Sequence, residues 1–221
     1  MKPCLIFDLD GTLVDSLPGI AASLNRTLVA HGLSGHSHAV IRSFIGGGLR
    51  MLVQRAALTD HDPAFIDSLV AFYKKDYDAT WIEGSLIYPG IHSLLDELQH
   101  SGLQLAVLSN KTHDFTVMMA HGLFPDIHFA MVLGQQDGFP HKPHPAGALQ
   151  ITTAFGTAPE NCVVIGDSTI DLETAANAGM HAVAVAWGYH DRQNLLAAGA
   201  LRLIEHPSEL PGVLAEIRGD A

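Results

Sequence analysis

The stretch FDLDGTLVDS, Phe7-Asp8-Leu9-Asp10-Gly11-Thr12-Leu13-Val14-Asp15-Ser16, follows directly on the apolar residues Cys4-Leu5-Ile6. A short continuous apolar run ending in a glycine turn reads as a buried strand. Its carboxyl end then carries two acids, Asp8 and Asp10, two residues apart. Side chains alternate along an extended segment, which brings these two carboxylates near one another. Crowded acids repel and are costly to bury unless a cation neutralises them.

Outward from this stretch, further apolar runs rich in Val, Ile and Leu predict strands at Leu103–Leu108, Phe129–Leu133, Cys162–Ile165, His181–Ala186 and Leu201–Ile204. Helical spacing of apolar residues lies between them, over Gly90–Ser101, Thr112–His121, Pro145–Phe155 and Thr169–Ala178. Strand alternating with helix predicts an α/β fold: a Rossmann-like, doubly wound parallel sheet covered on both faces. The rhythm breaks from about Leu17 to Ile87, where no strand pattern occurs. Helical patterns take its place over Ile20–His31, Ala39–Leu58 (interrupted at Gly46-Gly47-Gly48) and Ala64–Thr80. The expectation is a core domain of residues 1–16 and 87–221, with a helical cap domain inserted at 17–86. Val14–Pro18 and Glu83–Pro89 are then two linkers on which a helical lid could swing.

Composition narrows the function classes. The chain has 221 residues, 48% of them hydrophobic and 16% charged, enough to bury a core. Net charge is −11 and the 12 basic residues form no run, which argues against nucleic acid and anionic membrane as partners. The N-terminal apolar stretch is broken by Asp8, so no signal peptide is expected, and no apolar run is long enough to span a bilayer. Cys4 and Cys162 both fall in expected strands and read as reduced core thiols of a cytoplasmic protein. The 14 histidines are scattered without a zinc-binding spacing.

In open α/β sheets, ligands bind beyond the carboxyl ends of the strands. Asp8 and Asp10, then Ser109 and Asn110, then Asp167 all lie at such positions, and Lys142 precedes the helix that leads into the strand before Asp167. Each alone is explained as a helix cap, a turn former or a solvated lysine. Together they bring three carboxylates, a hydroxyl and an ammonium to one crevice. Oxygen ligands of that kind suit Mg²⁺. A lysine and a turn rich in backbone N–H groups suit a phosphoryl group, and a carboxylate can attack phosphorus.

Four motifs, DLDGTLVDS, LSNK, HKPHP and GDSTIDLETAANAG, resemble in this order those of the haloacid dehalogenase superfamily. DSLPGIAASLNRTL, FIGGGLRMLV and IYPGI look like its phosphoglycolate phosphatase-like branch with a helical cap. The resemblance implies Asp8 as nucleophile and Asp10 as general acid and then base. It implies Gly11, Thr12, Ser109, Asn110 and Lys142 around the phosphate. Mg²⁺ would sit on Asp8, the Asp10 backbone carbonyl and Asp167, with Asp171 orienting the outer shell. In the cap, Gly47, Gly48 and Arg50 are the candidates to face the substrate, Arg50 by forking onto a carboxylate, against the alternative of a solvated helix arginine.

The expected activity is hydrolysis of a small phosphorylated metabolite, phosphoglycolate first, by a monomer or homodimer. A phosphosugar mutase and another phosphatase of the superfamily, such as a pyrophosphatase, share the core motifs. A receiver-type signalling module gathers similar groups but has no 70-residue helical insertion.

Overall fold

The computed structural model describes residues 4–58 and 61–219. Residues 1–3 and 220–221, on which the expected outer limits of the core fall, lie outside the described residues. The strands are β1 (Cys4–Phe7), β2 (Val14–Asp15), β3 (Leu86–Ile87), β4 (Gln104–Thr112), β5 (Phe129–Gln135), β6 (Cys162–Gly166), β7 (His181–Val185) and β8 (Leu203–Ile204). The helices are α1 (Leu17–Ala30), α2 (His38–Arg42), α3 (Leu49–Ala57), α4 (Pro63–Thr80), α5 (Ile91–His100), α6 (His113–Leu123), α7 (Ala146–Phe155), α8 (Thr169–Ala178), α9 (Arg192–Ala197) and α10 (Leu210–Arg218).

Six strands form one parallel sheet in the order β5-β4-β1-β6-β7-β8. β1 lies in its middle, with Cys4 opposite Gln104 on one side and Cys162 on the other. Its four residues are all buried, as a strand covered on both faces requires. Leu5 and Phe7 point into one core with Ile91, Leu94, Leu95 and Leu98 of α5 and Leu210 and Leu214 of α10. Cys4 and Ile6 point to the other side, against Ala148 and Ile151 of α7 and Ala175 and Ala178 of α8. This is the Rossmann-like α/β arrangement that the alternation predicts.

Helices α1, α3 and α4 share a separate hydrophobic cluster built on Ile20, Leu24, Leu28, Leu52, Val53, Leu69, Tyr73 and Tyr77, which Phe115 of α6 joins from the sheet side. Among the described residues no helix is long and apolar enough to cross a membrane.

Three local features depart from the sequence reading. The two linkers pair with each other: β2 and β3 run antiparallel, Val14 opposite Ile87 and Asp15 opposite Leu86. Two residues per strand are too few to carry a periodicity, so only the pairing reveals them. β4 continues to Thr112, which places Ser109 and Asn110 inside the strand rather than after it. The last strand contains Leu203–Ile204 only.

Candidate active site

The site is assembled at the carboxyl ends of β1, β4 and β6. β1 ends at Phe7, and the Asp8 N–H still donates to the Ile165 carbonyl of β6 (2.9 Å), so the register of the sheet sets the backbone of Asp8. The chain then turns tightly, with the N–H groups of Thr12, Leu13 and Val14 all donating to the Leu9 carbonyl. Gly11 makes the turn possible. Its φ of 87° suits glycine, and a Cβ there would stand 2.4 Å from Asp167 Oδ2.

Asp167 follows β6 and is held from two directions. Its Oδ1 accepts from Thr12 Oγ1 (3.1 Å) and its Oδ2 from the Tyr189 N–H (2.6 Å). Asp171 closes a capping box at the start of α8, where Ser168 Oγ and the Ser168 N–H both donate to its Oδ2 (2.6 and 3.1 Å). Its other oxygen accepts from Lys142 Nζ (2.7 Å), and the same ammonium lies 3.0 Å from Asp8 Oδ1. One oxygen each from Asp8, Asp167 and Asp171 lie within 4.8 Å of one another.

Burial dominates the electrostatics. It pushes the Asp8 carboxyl up to about 7, with Lys142 opposing and Asp171 adding to the rise. It pushes Asp167 up to about 8, reinforced by the charges of Asp8 and Asp171. Burial alone would lower the Lys142 ammonium, but Asp171 and Asp8 outweigh it and hold it above the usual lysine value. Asp8, Asp10, Asp167 and Asp171 line or adjoin a site into which Lys142 and Lys111 bring the ammonium charges. Four carboxylates against two ammonium groups leave an excess of negative charge, and the donors are all oxygen. That set fits a hard divalent cation such as Mg²⁺, which would reverse the upward push on both acids.

Asp10 faces a different group of partners. Ser16 Oγ donates to its Oδ1 (2.5 Å), and Lys111 Nζ lies 3.2 and 3.3 Å from its two oxygens. The Tyr189 hydroxyl accepts from the Ser16 N–H (3.0 Å). Tyr189 therefore supports Asp167 with its backbone and Asp10, through Ser16, with its side chain.

A cavity of about 80 Å³ opens above these groups, enough for a handful of water-sized fragments. Asp8, Asp10, Ser109, Asn110, Lys142 and Asp167 line it, as does Gly48 of the glycine-rich loop. The insertion adds an apolar wall of Ile20, Ile45, Leu49, Leu52 and Tyr73. The Asn110 side chain clamps two segments: its Nδ2 donates to the carbonyls of Gly46 (2.8 Å) and Lys142 (2.9 Å), and its Oδ1 accepts from the Lys142 N–H (2.8 Å).

Five expected site residues do not line the cavity, and Asp171, set behind Lys142 and Ser168, is one of them. The Gly11 N–H donates to the Val14 carbonyl (2.8 Å), and the buried Thr12 hydroxyl braces Asp167. Gly47 lies against Met51. Arg50 points away and pairs with Asp67, both side chains about half exposed. Helix α3 starts only at Leu49, and its buried stripe of Leu52, Val53, Ala56 and Ala57 leaves position 50 on the outer face.

The guanidinium that does line the cavity is Arg42 of α2, which donates to the Tyr189 carbonyl and to Asp191 (3.0 Å). Arg42, Lys111, Ser16, Tyr77 and Tyr189 were not singled out in the sequence. Lys111 and Ser16 alone had a signal, their places in LSNK and at the end of DLDGTLVDS.

Residues 5–185 match the family model of the haloacid dehalogenase-like hydrolases. A phosphoglycolate phosphatase of Mesorhizobium japonicum is 32% identical over 194 residues, covering 86% of each chain. One from Rhodospirillum rubrum is 31% identical over 212 residues, covering 93% of this chain and 88% of its own. The crystal structure of a predicted phosphoglycolate phosphatase from Haemophilus somnus superposes with a TM-score of 0.87 at 28% identity, over 96% of this chain and 97% of that one.

Proposed function

The chain belongs to the haloacid dehalogenase-like hydrolases and is a phosphoric monoester hydrolase; from that premise we propose that it hydrolyses a small phosphomonoester, phosphoglycolate first among the candidates, through an aspartyl-phosphate on Asp8 with Mg²⁺ as cofactor. The observation that carries this reading is the seating of Asp8. Its carboxylate lies 3.0 Å from the buried Lys142 ammonium and within 4.8 Å of Asp167 and Asp171. It is a carboxylate at a cavity wall, beside a cation able to hold a phosphoryl oxygen.

In the first step a carboxylate oxygen of Asp8 attacks phosphorus, the bond from phosphorus to the leaving oxygen breaks, and Asp10 gives that oxygen a proton. In the second, Asp10 takes a proton from water, the water oxygen attacks phosphorus, and the bond to Asp8 breaks to release phosphate. Lys142 and Ser109 hold the phosphoryl oxygens. Asp8, Asp167 and the Asp10 carbonyl would hold Mg²⁺, which supplies charge neutralisation when bound, with Asp171 beside them.

In this reading residues 17–86 act as a cap domain over the core of 1–16 and 87–221, and a substrate carboxylate meets Arg42. Phosphoglycolate is favoured by the relatives named above and by a cavity sized for a small molecule.

The test is phosphate release with Mg²⁺, and with chelator in its place, from phosphoglycolate, glycerol phosphate, hexose phosphates, nucleotides and pyrophosphate. Release that needs Mg²⁺ and is fastest from phosphoglycolate is expected. A better neutral or sugar substrate would overturn the substrate assignment. Conversion of a sugar phosphate to its isomer would make the chain a mutase.

A further inference from the structure

Lys111 has no part in the mechanism above, yet it is buried against Asp10. Its side chain is 8% exposed, and its Nζ lies 3.2 and 3.3 Å from the two oxygens of Asp10. The same nitrogen donates to the Tyr77 hydroxyl (3.0 Å) and sits 4.6 Å from the centre of that ring. Tyr77 belongs to α4, in the inserted helices, and is fully buried. Its ring stacks on Tyr73 of the same helix and meets Phe115 of α6 edge-on (centroids 5.4 and 5.1 Å). Its hydroxyl also reaches Met119 Sδ of α6 (3.7 Å). Lys111 therefore touches the insertion with one contact and the acid/base carboxylate with another.

The geometry points to Lys111 as a positioning residue for Asp10, holding that carboxylate in line with the leaving group only while Tyr77 of α4 is seated against it. This rests on the phosphatase reading. Asp10 must pass a proton along a defined line in both steps, which a carboxylate free to rotate does less well. Ser16 fixes one of its oxygens from the linker before α1, and Lys111 spans both. A lysine side chain has several soft torsions, and ordering it is entropically costly. The Tyr77 hydroxyl and ring supply the second anchor that orders it. An apolar residue would fill the same space without the cost of burying a charge. The consequence is that α4 in place and Asp10 aligned are one state, so the proton step is coupled to the arrangement in which the insertion covers the site.

The experiment compares two substrates that differ in leaving group. 4-Nitrophenyl phosphate expels an anion that needs no proton, whereas glycerol phosphate expels an alkoxide that does. Through kcat/KM both report the steps up to departure of the leaving group. In Lys111→Met, kcat/KM for glycerol phosphate should fall at least about tenfold, the size of a lost charge-assisted bond. In Tyr77→Phe, which keeps the ring, it should fall about threefold. For nitrophenyl phosphate both variants should stay within about twofold of wild type.

Equal falls on both substrates would make Lys111 a substrate-binding or structural residue and overturn the proposal, as would no fall on either. A selective fall in Lys111→Met with Tyr77→Phe unchanged would overturn the coupling to α4. Should Lys111→Met not fold, Tyr77→Phe decides alone, since it removes one oxygen from a packed ring. Wild-type protein inactive on both substrates would sink the phosphatase reading itself, a result distinct from active wild type with indifferent variants.

Discussion

Asp8 and Asp10 are separated by a single leucine and have different surroundings, so their amides should fail in different ways. Asp8 faces Lys142 and the two other acids of the cluster. Asp8→Asn should abolish turnover, because an amide is a poor nucleophile. The melting temperature should change little, because one of several crowded carboxylates is removed. Phosphate release well above background from the pure variant would place the nucleophile elsewhere. Asp10 faces Ser16 and Lys111. Asp10→Asn should still be phosphorylated by an aryl phosphate but should lose it slowly, so that intact mass after brief exposure shows the phosphorylated chain. Wild-type turnover with no such species would remove the acid/base role.

Gly188 is a third sensitive point. A Cβ there would stand 2.2 Å from Asp167 Cβ and 2.4 Å from the Gly11 carbonyl oxygen. Gly188→Ala should therefore shift Asp167 and raise the Mg²⁺ concentration needed for half-maximal activity, with a stability loss of about 1–3 kcal/mol. An unchanged Mg²⁺ requirement would show that Asp167 is not a ligand.

At the scale of elements, hydrogen bonds among the described residues tie the insertion to the site in three places: Gly46 to Asn110, Tyr77 to Lys111, and Arg42 to Tyr189 and Asp191. The contrast between two arginines tests which of these reads substrate. Arg50 on α3 forms an exposed pair with Asp67, and such pairs are worth about 0–1 kcal/mol. Arg50→Ala should leave the preference for phosphoglycolate over glycerol phosphate within about twofold. Arg42→Ala should reduce that preference roughly tenfold, the size of one charge-assisted bond. Equal losses on the two substrates would make Arg42 only a bolt holding the Tyr189 segment. The pairing of β2 with β3 bears on how the insertion moves. The two crossings are hydrogen-bonded into one two-stranded unit rather than hanging as separate tethers, so rotation of the helices must carry both strands together.

For the whole molecule, the buried acids set a dependence of stability on pH. An unfolded aspartate titrates near 3.9, whereas burial raises Asp8 to about 7 and Asp167 to about 8 in the fold. Between those limits the folded state binds more protons than the unfolded one, so stability falls as pH rises from about 4 to 8. Protein stripped with chelator should therefore melt lower at pH 8 than at pH 5.5. Mg²⁺ held as proposed, by the ionised carboxylates, should recover the loss at pH 8, by about 2.7 kcal/mol at a hundredfold excess over its dissociation constant. A chelated protein equally stable at both pH values, or indifferent to Mg²⁺ at pH 8, would show that these carboxylates do not form the cation site.

The α/β class, the first strand and the cavity-lining acids were legible in the sequence because each depends on local chemistry. A buried parallel strand must be continuously apolar, as Cys4–Phe7 is, and a tight turn beside Asp167 needs glycine at position 11. Even the reading of the insertion as helical needed no more than the spacing of Ile20, Leu24 and Leu28. Contacts between distant segments were not legible. Tyr77 is an ordinary core residue of an amphipathic helix until folding brings it 3.0 Å from Lys111, 34 residues further along the chain. Arg50 has the right chemistry and the right loop, but the phase of α3 turns it outward, whereas Arg42 is turned to the cavity. Leu86–Ile87 has no pattern and becomes a strand only because Val14–Asp15 lies beside it. Periodicity and turn chemistry act over a few residues and leave a mark in composition. A side chain's direction and its partners depend on how whole elements pack, and that was decided by the tertiary structure.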